Sequence, residues 1–351
     1  MLKLEYKYLI IKTKSMFKSQ GSFTNSMFGS YAYDKVISRN LNHLLVRLNN
    51  SIDLSFIEAL VQDCYCHDNG RRAYHPVLMF KILFLQTLYN ESDEKIIEAI
   101  DTNILFRYFV GLSLEDEIPD RTLLGKFKNR LGEEKFNQIF NRIVELAKEN
   151  GLVDSRLRLI DCTAITANVD IYRCTKTKQA DNDSDYINRS TPDKEASTGH
   201  KTAHKKWYGY KSGIIIDAES EIVTAVETST ASRHDVEHLE SLVEKDIATS
   251  GGAQRLGGDK GFVGKDTFLK DKNIINSIIR RNNMKQPRRL SYKLDKMVRP
   301  IIEHKFAEGK NLHGLGKAKY WGRLKVHIQT LLIYLTMNLK KIVNFLVPIK
   351  T

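Results

Sequence analysis

The stretch Leu157-Arg-Leu-Ile-Asp161-Cys-Thr-Ala-Ile-Thr-Ala167-Asn168 decides how the rest of the chain reads. Leu157, Leu159 and Ile160 predict a short strand that ends on a carboxylate, Asp161. Just upstream, Asn150-Gly151 closes a helical pattern as a C-cap does, so the backbone period changes at Gly151. Downstream, Tyr208 to Asp217 and Glu221 to Ser229 read as two strands joined across Ala-Glu-Ser, with Asp217 serving the hairpin turn. A helix over Val236 to Ile247 follows His234-Asp235 at its cap. Leu256 then precedes Gly257-Gly258-Asp259-Lys260-Gly261, Ile274 to Ile279 is another apolar run, and a final helical region begins near Lys296. Strand, hairpin, helix, strand, helix, strand, helix is a mixed α/β layout. Residues 173–206, rich in Ser, Thr, Asp, Lys and His without periodicity, predict a polar loop or insertion.

Before Gly151 the pattern is helical. Val36, Leu41, Leu44, Leu45 and Leu48 share a face, and Leu54, Ile57, Leu60 and Val61 repeat the spacing. Pro76 suits the first turn of a helix through Met79, Ile82, Leu83 and Leu85. Asp93, Asp101 and Asp120 each stand where an N-cap is expected. The expected organisation is a loose lead-in over residues 1–30, an all-helical domain over 31–150, and an α/β domain over 151–351.

Hydrophobic residues at 42% of 351 provide for a buried core and argue against wholesale disorder. Four cysteines are too few for a disulfide scaffold, which fits a reducing, intracellular compartment, and charge interrupts the N-terminal apolar residues before a signal-peptide core forms. Near the other end, Lys340 and Lys341 break the apolar stretch 326–347. There Leu331, Leu335, Leu339, Ile342 and Leu346 recur as on a packed core helix, so no membrane span is expected. The formal net charge of +13 points to a polyanionic partner. Most of that excess sits between Lys270 and Lys325, where sixteen Lys and Arg, Arg288 and Arg289 among them, face four acids. Segregated charge with Tyr292, Tyr320 and Trp321 interleaved suits phosphate neutralisation better than a merely solvated surface.

Three acids stand out by position: Asp161 and Asp259, each after an apolar strand, and Glu303 on a helix. Carboxylates far apart in sequence can converge on Mg²⁺, which prefers hard oxygen ligands, and paired ions suit phosphodiester chemistry. Taken singly, each acid is as readily a turn residue, a cap or a member of a surface ion-pair ladder. Arg299, Glu303, Phe306 and Lys310 lie at i, i+4, i+7 and i+11, on one helical face. Cys64, Cys66 and His67 lack the paired spacing of a zinc site. His200 and His204 read as part of a lysine-rich loop, and Gly111, Gly125 and Gly132 lack the strand that a dinucleotide loop requires.

As a set, Ile160 to Asn168, Tyr208-Gly-Tyr-Lys211, Gly258-Asp259-Lys-Gly-Phe262 and Arg299-(three residues)-Glu303-(six residues)-Lys310 resemble the DDE transposases of bacterial insertion sequences. Pro76 to Leu131, with Phe109-Val-Gly-Leu112 and Pro119-Asp-Arg-Thr122, is similar to their helical N-terminal domain. The resemblance spans about residues 60–345. It implies a ribonuclease-H-like mixed sheet flanked by helices and a metal-binding triad of Asp161, Asp259 and Glu303 for two Mg²⁺ ions, with Mn²⁺ able to substitute. It implies DNA contacts by Arg299, Lys310, Lys260, Arg288 and Arg289, and a DNA-binding role for the all-helical domain over 31–150. The substrate expected from it is double-stranded DNA at element ends and targets, handled by a homodimer or larger assembly in the cytoplasm at the nucleoid. Lys296 stands where the family pattern often has Tyr. A stand-alone nuclease on the same fold and an inactive DNA-binding remnant of a mobile element remain alternative readings.

Overall fold

The structure, a computed structural model, describes residues 17, 27–66, 72–171, 191–202 and 205–348. Seven helices come first: α1 (Met27–Arg39), α2 (Leu44–Ser51), α3 (Phe56–Val61), α4 (Pro76–Leu88), α5 (Asp93–Thr102), α6 (Ile104–Val110) and α7 (Thr122–Glu149). Pro76 is the first residue of α4, where its missing N–H removes nothing. Two of the expected caps shift to neighbours. Ser92 caps α5 by accepting from the Lys95 N–H, and Asn103, not Asp101, caps α6 by accepting from the N–H of Leu105 and Phe106. Asp120 does cap, accepting from the Thr122 N–H at 2.8 Å. The lead-in is also less loose than its composition suggested: α1 begins at Met27, and Phe17 is buried edge-on against Tyr65.

The sheet follows: β1 (Leu157–Thr166), β2 (Ser197–Thr202), β3 (Lys205–Asp217), β4 (Val223–Thr230), β5 (Arg255–Gly258) and β6 (Ile275–Asn276). Between β4 and β5 runs α8 (Leu239–Ser250), and between β5 and β6 α9 (Asp266–Asp271). Then come α10 (Leu290–Val298), α11 (Pro300–His313) and α12 (Arg323–Leu346). The strand order is β2-β3-β1-β5-β6, with β4 also on β3. The β1–β3–β4 pairs are antiparallel and the β1–β5–β6 pairs parallel, which makes the sheet mixed and flanked by helices in the ribonuclease-H-like manner. Asp217 serves the β3–β4 hairpin turn as expected, its Oδ1 accepting from the N–H of Glu219 and Ser220.

One expectation is corrected. Residues 197–202 and 205–206, read as polar loop, are strand: Ser197 pairs with Gly209 and Thr198 with Tyr208 across β2–β3. An edge strand of Ser, Thr, Gly, His and Lys carries no apolar alternation, so its sequence looks like loop. His200 belongs to this strand and is exposed; His204, Cys174, His67 and the rest of the polar insertion, 173–190, lie outside the described residues.

Two apolar clusters hold the molecule together. One joins the faces of α2–α7 and α12 to one side of the sheet, through residues such as Phe80, Phe84, Phe140, Ile214 and Leu335. The other lies under α8 and α9, with Ile160, Ile215, Leu242, Phe262 and Leu269. Instead of being one-sided, α12 is buried almost all round from Val326 to Leu339. A buried ion pair anchors the central strand in this interior. Arg158 on β1 is 1% exposed and meets Asp217 at 2.7 Å and Asp246 at 3.3 Å.

Candidate active site

Strand register positions the first two acids. Ile160 on β1 pairs with Gly258 on the parallel neighbour β5, so the next residues, Asp161 and Asp259, stand at the same level. β5 ends there, whereas β1 runs on to Thr166 paired with β3, so Asp161 lies within its strand and does not end it as expected from the sequence. Asp259 caps the short turn Lys260–Phe262, its Oδ1 accepting from the Gly261 N–H at 2.6 Å. Asp161 Oδ1 accepts from the Cys162 N–H at 2.7 Å. The third acid comes from α11, which packs on β1 through its buried Ile302 and Phe306 and keeps Glu303 exposed.

Arg299 ties the third acid to the first. Its guanidinium lies 2.9 Å from Glu303 Oε1, one helical turn on, and 3.7 Å from Asp161 Oδ2. Desolvation raises the Asp161 carboxyl to a pKa of about 7. Asp259 and Asp235 push the same way, against the Cys162 N–H and Arg299, which favour the charged form. Like charge is thus gathered around a half-buried carboxylate.

Asp235, which the sequence reading treated as a helix cap, is part of this neighbourhood. A Cβ placed on Gly261 would lie 2.8 Å from Asp259 Oδ1 and 3.5 Å from Asp235 Oδ2, so both carboxylates reach one point above that glycine. Lys211, opposite Ala164 on β1, contacts Asp235 Oδ1 at 2.8 Å and donates to the Arg233 carbonyl at 2.7 Å. The sequence signal that could have found them is the polar Lys211 within the apolar strand β3 and the His234-Asp235 pair just after β4.

The remaining sequence-predicted residues, Lys260, Lys310, Arg288 and Arg289, are exposed. Lys260 is exposed beside Asp259, and Lys310 is exposed two turns beyond Glu303. Arg288 and Arg289 are exposed in the segment before α10, and Arg289 donates to the Asn276 carbonyl and to Ser277 Oγ. The basic stretch divides between architecture and surface. Lys272 pairs with Glu244, Arg280 with Asp266 and the buried Lys305 with Glu308, whereas Lys285, Arg288, Lys293 and Lys296 are exposed.

Family comparison agrees with this layout. Residues 33–130 match the family model described as Transposase domain (DUF772), and residues 173–339 match the Transposase DDE domain. The chain is a DDE transposase of the insertion-sequence type, with both parts in the N-to-C order expected of one. Asp259, Arg299, Glu303 and Lys310 fall within the second match, and Asp161 precedes it. A DNA substrate and a divalent metal ion follow from membership in the family. Among the described residues, no helix is long and apolar enough to cross a membrane.

Proposed function

We propose that the protein binds the terminal inverted repeats of its element, cleaves the DNA at the ends and transfers the freed strands to target DNA, with Asp161, Asp259 and Glu303 as the catalytic acids. The observation that carries this reading is the meeting of distant acids. Asp161 within β1 and Asp259 just after the paired strand β5 stand at one level, and Arg299 bridges Asp161 to Glu303. Among the described residues no three His, Cys, Asp or Glu side chains form a ready-made metal cluster. The donors nevertheless fit a hard divalent cation. All are carboxylates, and a cationic group already lies between two of them. Asp161, Asp259 and Glu303 would hold Mg²⁺, two ions in our reading, with Mn²⁺ able to replace it. When bound, these ions supply charge stabilisation for phosphodiester hydrolysis and transesterification.

The chain's own groups do the positioning. β1 and β5 fix Asp161 and Asp259 on the backbone, so little reorganisation accompanies reaction. Lys211 balances Asp235 and keeps a fourth negative charge from repelling the phosphate. Exposed Lys260, Lys310 and Arg288, with Arg289 at the rim, draw the DNA backbone toward the carboxylates by charge. The surface of the helical N-terminal region adds DNA contacts in this scheme, and a dimer or larger assembly brings two ends together.

The test is incubation of DNA carrying the element's ends with the protein and Mg²⁺ or Mn²⁺. Asp161→Asn, Asp259→Asn and Glu303→Gln are each expected to abolish cutting while leaving DNA binding in place. Cutting that survives any of these substitutions would refute the assignment. Joined strand-transfer products distinguish a transposase from a nuclease that only cuts.

A further inference from the structure

We infer that Arg299 is a stand-in cation that couples DNA binding to metal binding: its guanidinium neutralises Asp161 and Glu303 until a DNA phosphate draws it away and leaves both acids to the metal. This rests on the carboxylate assignment above. Its own support is that one guanidinium spans both acids, at 3.7 Å from Asp161 and 2.9 Å from Glu303. A divalent cation and a guanidinium cannot both neutralise the same two carboxylates at close range without repelling each other.

Three features equip Arg299 to change partners. Its Nε is buried without a hydrogen-bond partner, so no third acceptor locks the guanidinium in place. The side chain is 28% exposed, at the junction where α10 ends and Pro300 opens α11. The planar fork also matches a phosphate as well as a carboxylate. Exposed Lys293 and Lys296, on the helix that ends at this junction, add positive charge where a DNA strand would approach.

Linkage makes the effect reciprocal, because the factor by which DNA tightens metal binding is the factor by which metal tightens DNA binding. Mn²⁺ binding to the whole protein, followed by calorimetry and by the electron-spin resonance signal of free Mn²⁺, reads this without turnover. The probes are Mn²⁺ alone and Mn²⁺ with a blunt 20-base-pair duplex of arbitrary sequence. Wild-type protein is expected to bind Mn²⁺ roughly 5- to 150-fold more tightly with the duplex present. Arg299→Gln is expected to bind Mn²⁺ more tightly than wild type without DNA and to gain little from the duplex. Arg299→Lys keeps the charge without the fork and is expected to fall between. Circular dichroism confirms that each variant is folded.

Arg299→Gln binding Mn²⁺ no more tightly than wild type would overturn the coupling, and so would a duplex that leaves wild-type affinity unchanged. Asp161→Asn and Glu303→Gln separate this from failure of the site itself. If they abolish Mn²⁺ binding while Arg299→Gln behaves as wild type, only the coupling is wrong. If they leave Mn²⁺ binding intact, the carboxylate assignment is wrong and the coupling falls with it.

Discussion

Gly261 shows how closely the acidic groups are set. Alanine there would place its methyl group 2.8 Å from Asp259 Oδ1, which must then move. Gly261→Ala is expected to slow DNA cutting about 10- to 100-fold, the usual effect of misplacing a reacting group by an ångström or so. Because the residue is partly exposed, the melting temperature should stay within a few degrees of wild type. A variant that cuts at the wild-type rate would show that the Asp259 position is not critical. Among single residues, the sequence was informative wherever chemistry coincides with an element boundary. Asp259 follows an apolar strand, Asp161 stands where the apolar run of its strand gives way to polar residues, and Arg299, Glu303 and Lys310 keep helical spacing. Asp235 and Lys211 could not be placed beside them, because their meeting depends on how β3, β4 and the turn after β4 pack. Spacing along the chain carries no such distance.

Individual elements owe their positions to buried polar pairs as well as to apolar faces. Arg158 anchors β1 between Asp217 of the hairpin and Asp246 of α8. Arg158→Ala would strand two buried carboxylates, and chemical denaturation should show a loss of about 3–5 kcal/mol. Asn338 on α12 does the same for β4: its side chain accepts from the Val223 N–H at 2.9 Å and donates to the Val223 carbonyl at 2.8 Å. Asn338→Leu preserves the volume but leaves both backbone groups unpaired, so a loss of roughly 2–4 kcal/mol is expected. A smaller change would mean that water replaces the amide. Helices and apolar strands were legible because they repeat, but β2 was not. An edge strand with little to bury has no pattern to reveal it, and its pairing with β3 places it in the sheet. The surroundings of α12 were misjudged for the opposite reason. Its apolar stripe was clear, but polar Gln329, Thr330 and Asn338 are also buried, because neighbouring elements satisfy them.

Across the whole molecule, acid should act through His327. Burial, with Lys245 and Arg323 nearby, lowers its pKa from 6.5 to about 3, so the folded protein holds it neutral. Its contribution is fully present above pH 6.5 and is lost as pH falls toward 3, by up to roughly 1.4 kcal/mol per unit. Between pH 7.5 and 5, wild type should lose about 2 kcal/mol more than His327→Asn in denaturant titrations. Parallel losses would remove His327 as the cause. The shared core makes a second prediction at this scale. Because α12 packs against α2, α4 and α7, a fragment ending at residue 150 should lack a cooperative unfolding transition, and adding a 151–348 fragment should restore it. This sharing was the least legible feature of all, since the change of period at Gly151 marks where strands begin and says nothing of what packs on what. It also bears on synthesis in the cell. At about 5–20 residues per second, the oily faces of α4 and α7 leave the ribosome about 10–50 s before α12 arrives to cover them. A newborn chain is therefore sticky for that interval, and slowing translation across the intervening codons should raise its dependence on chaperones.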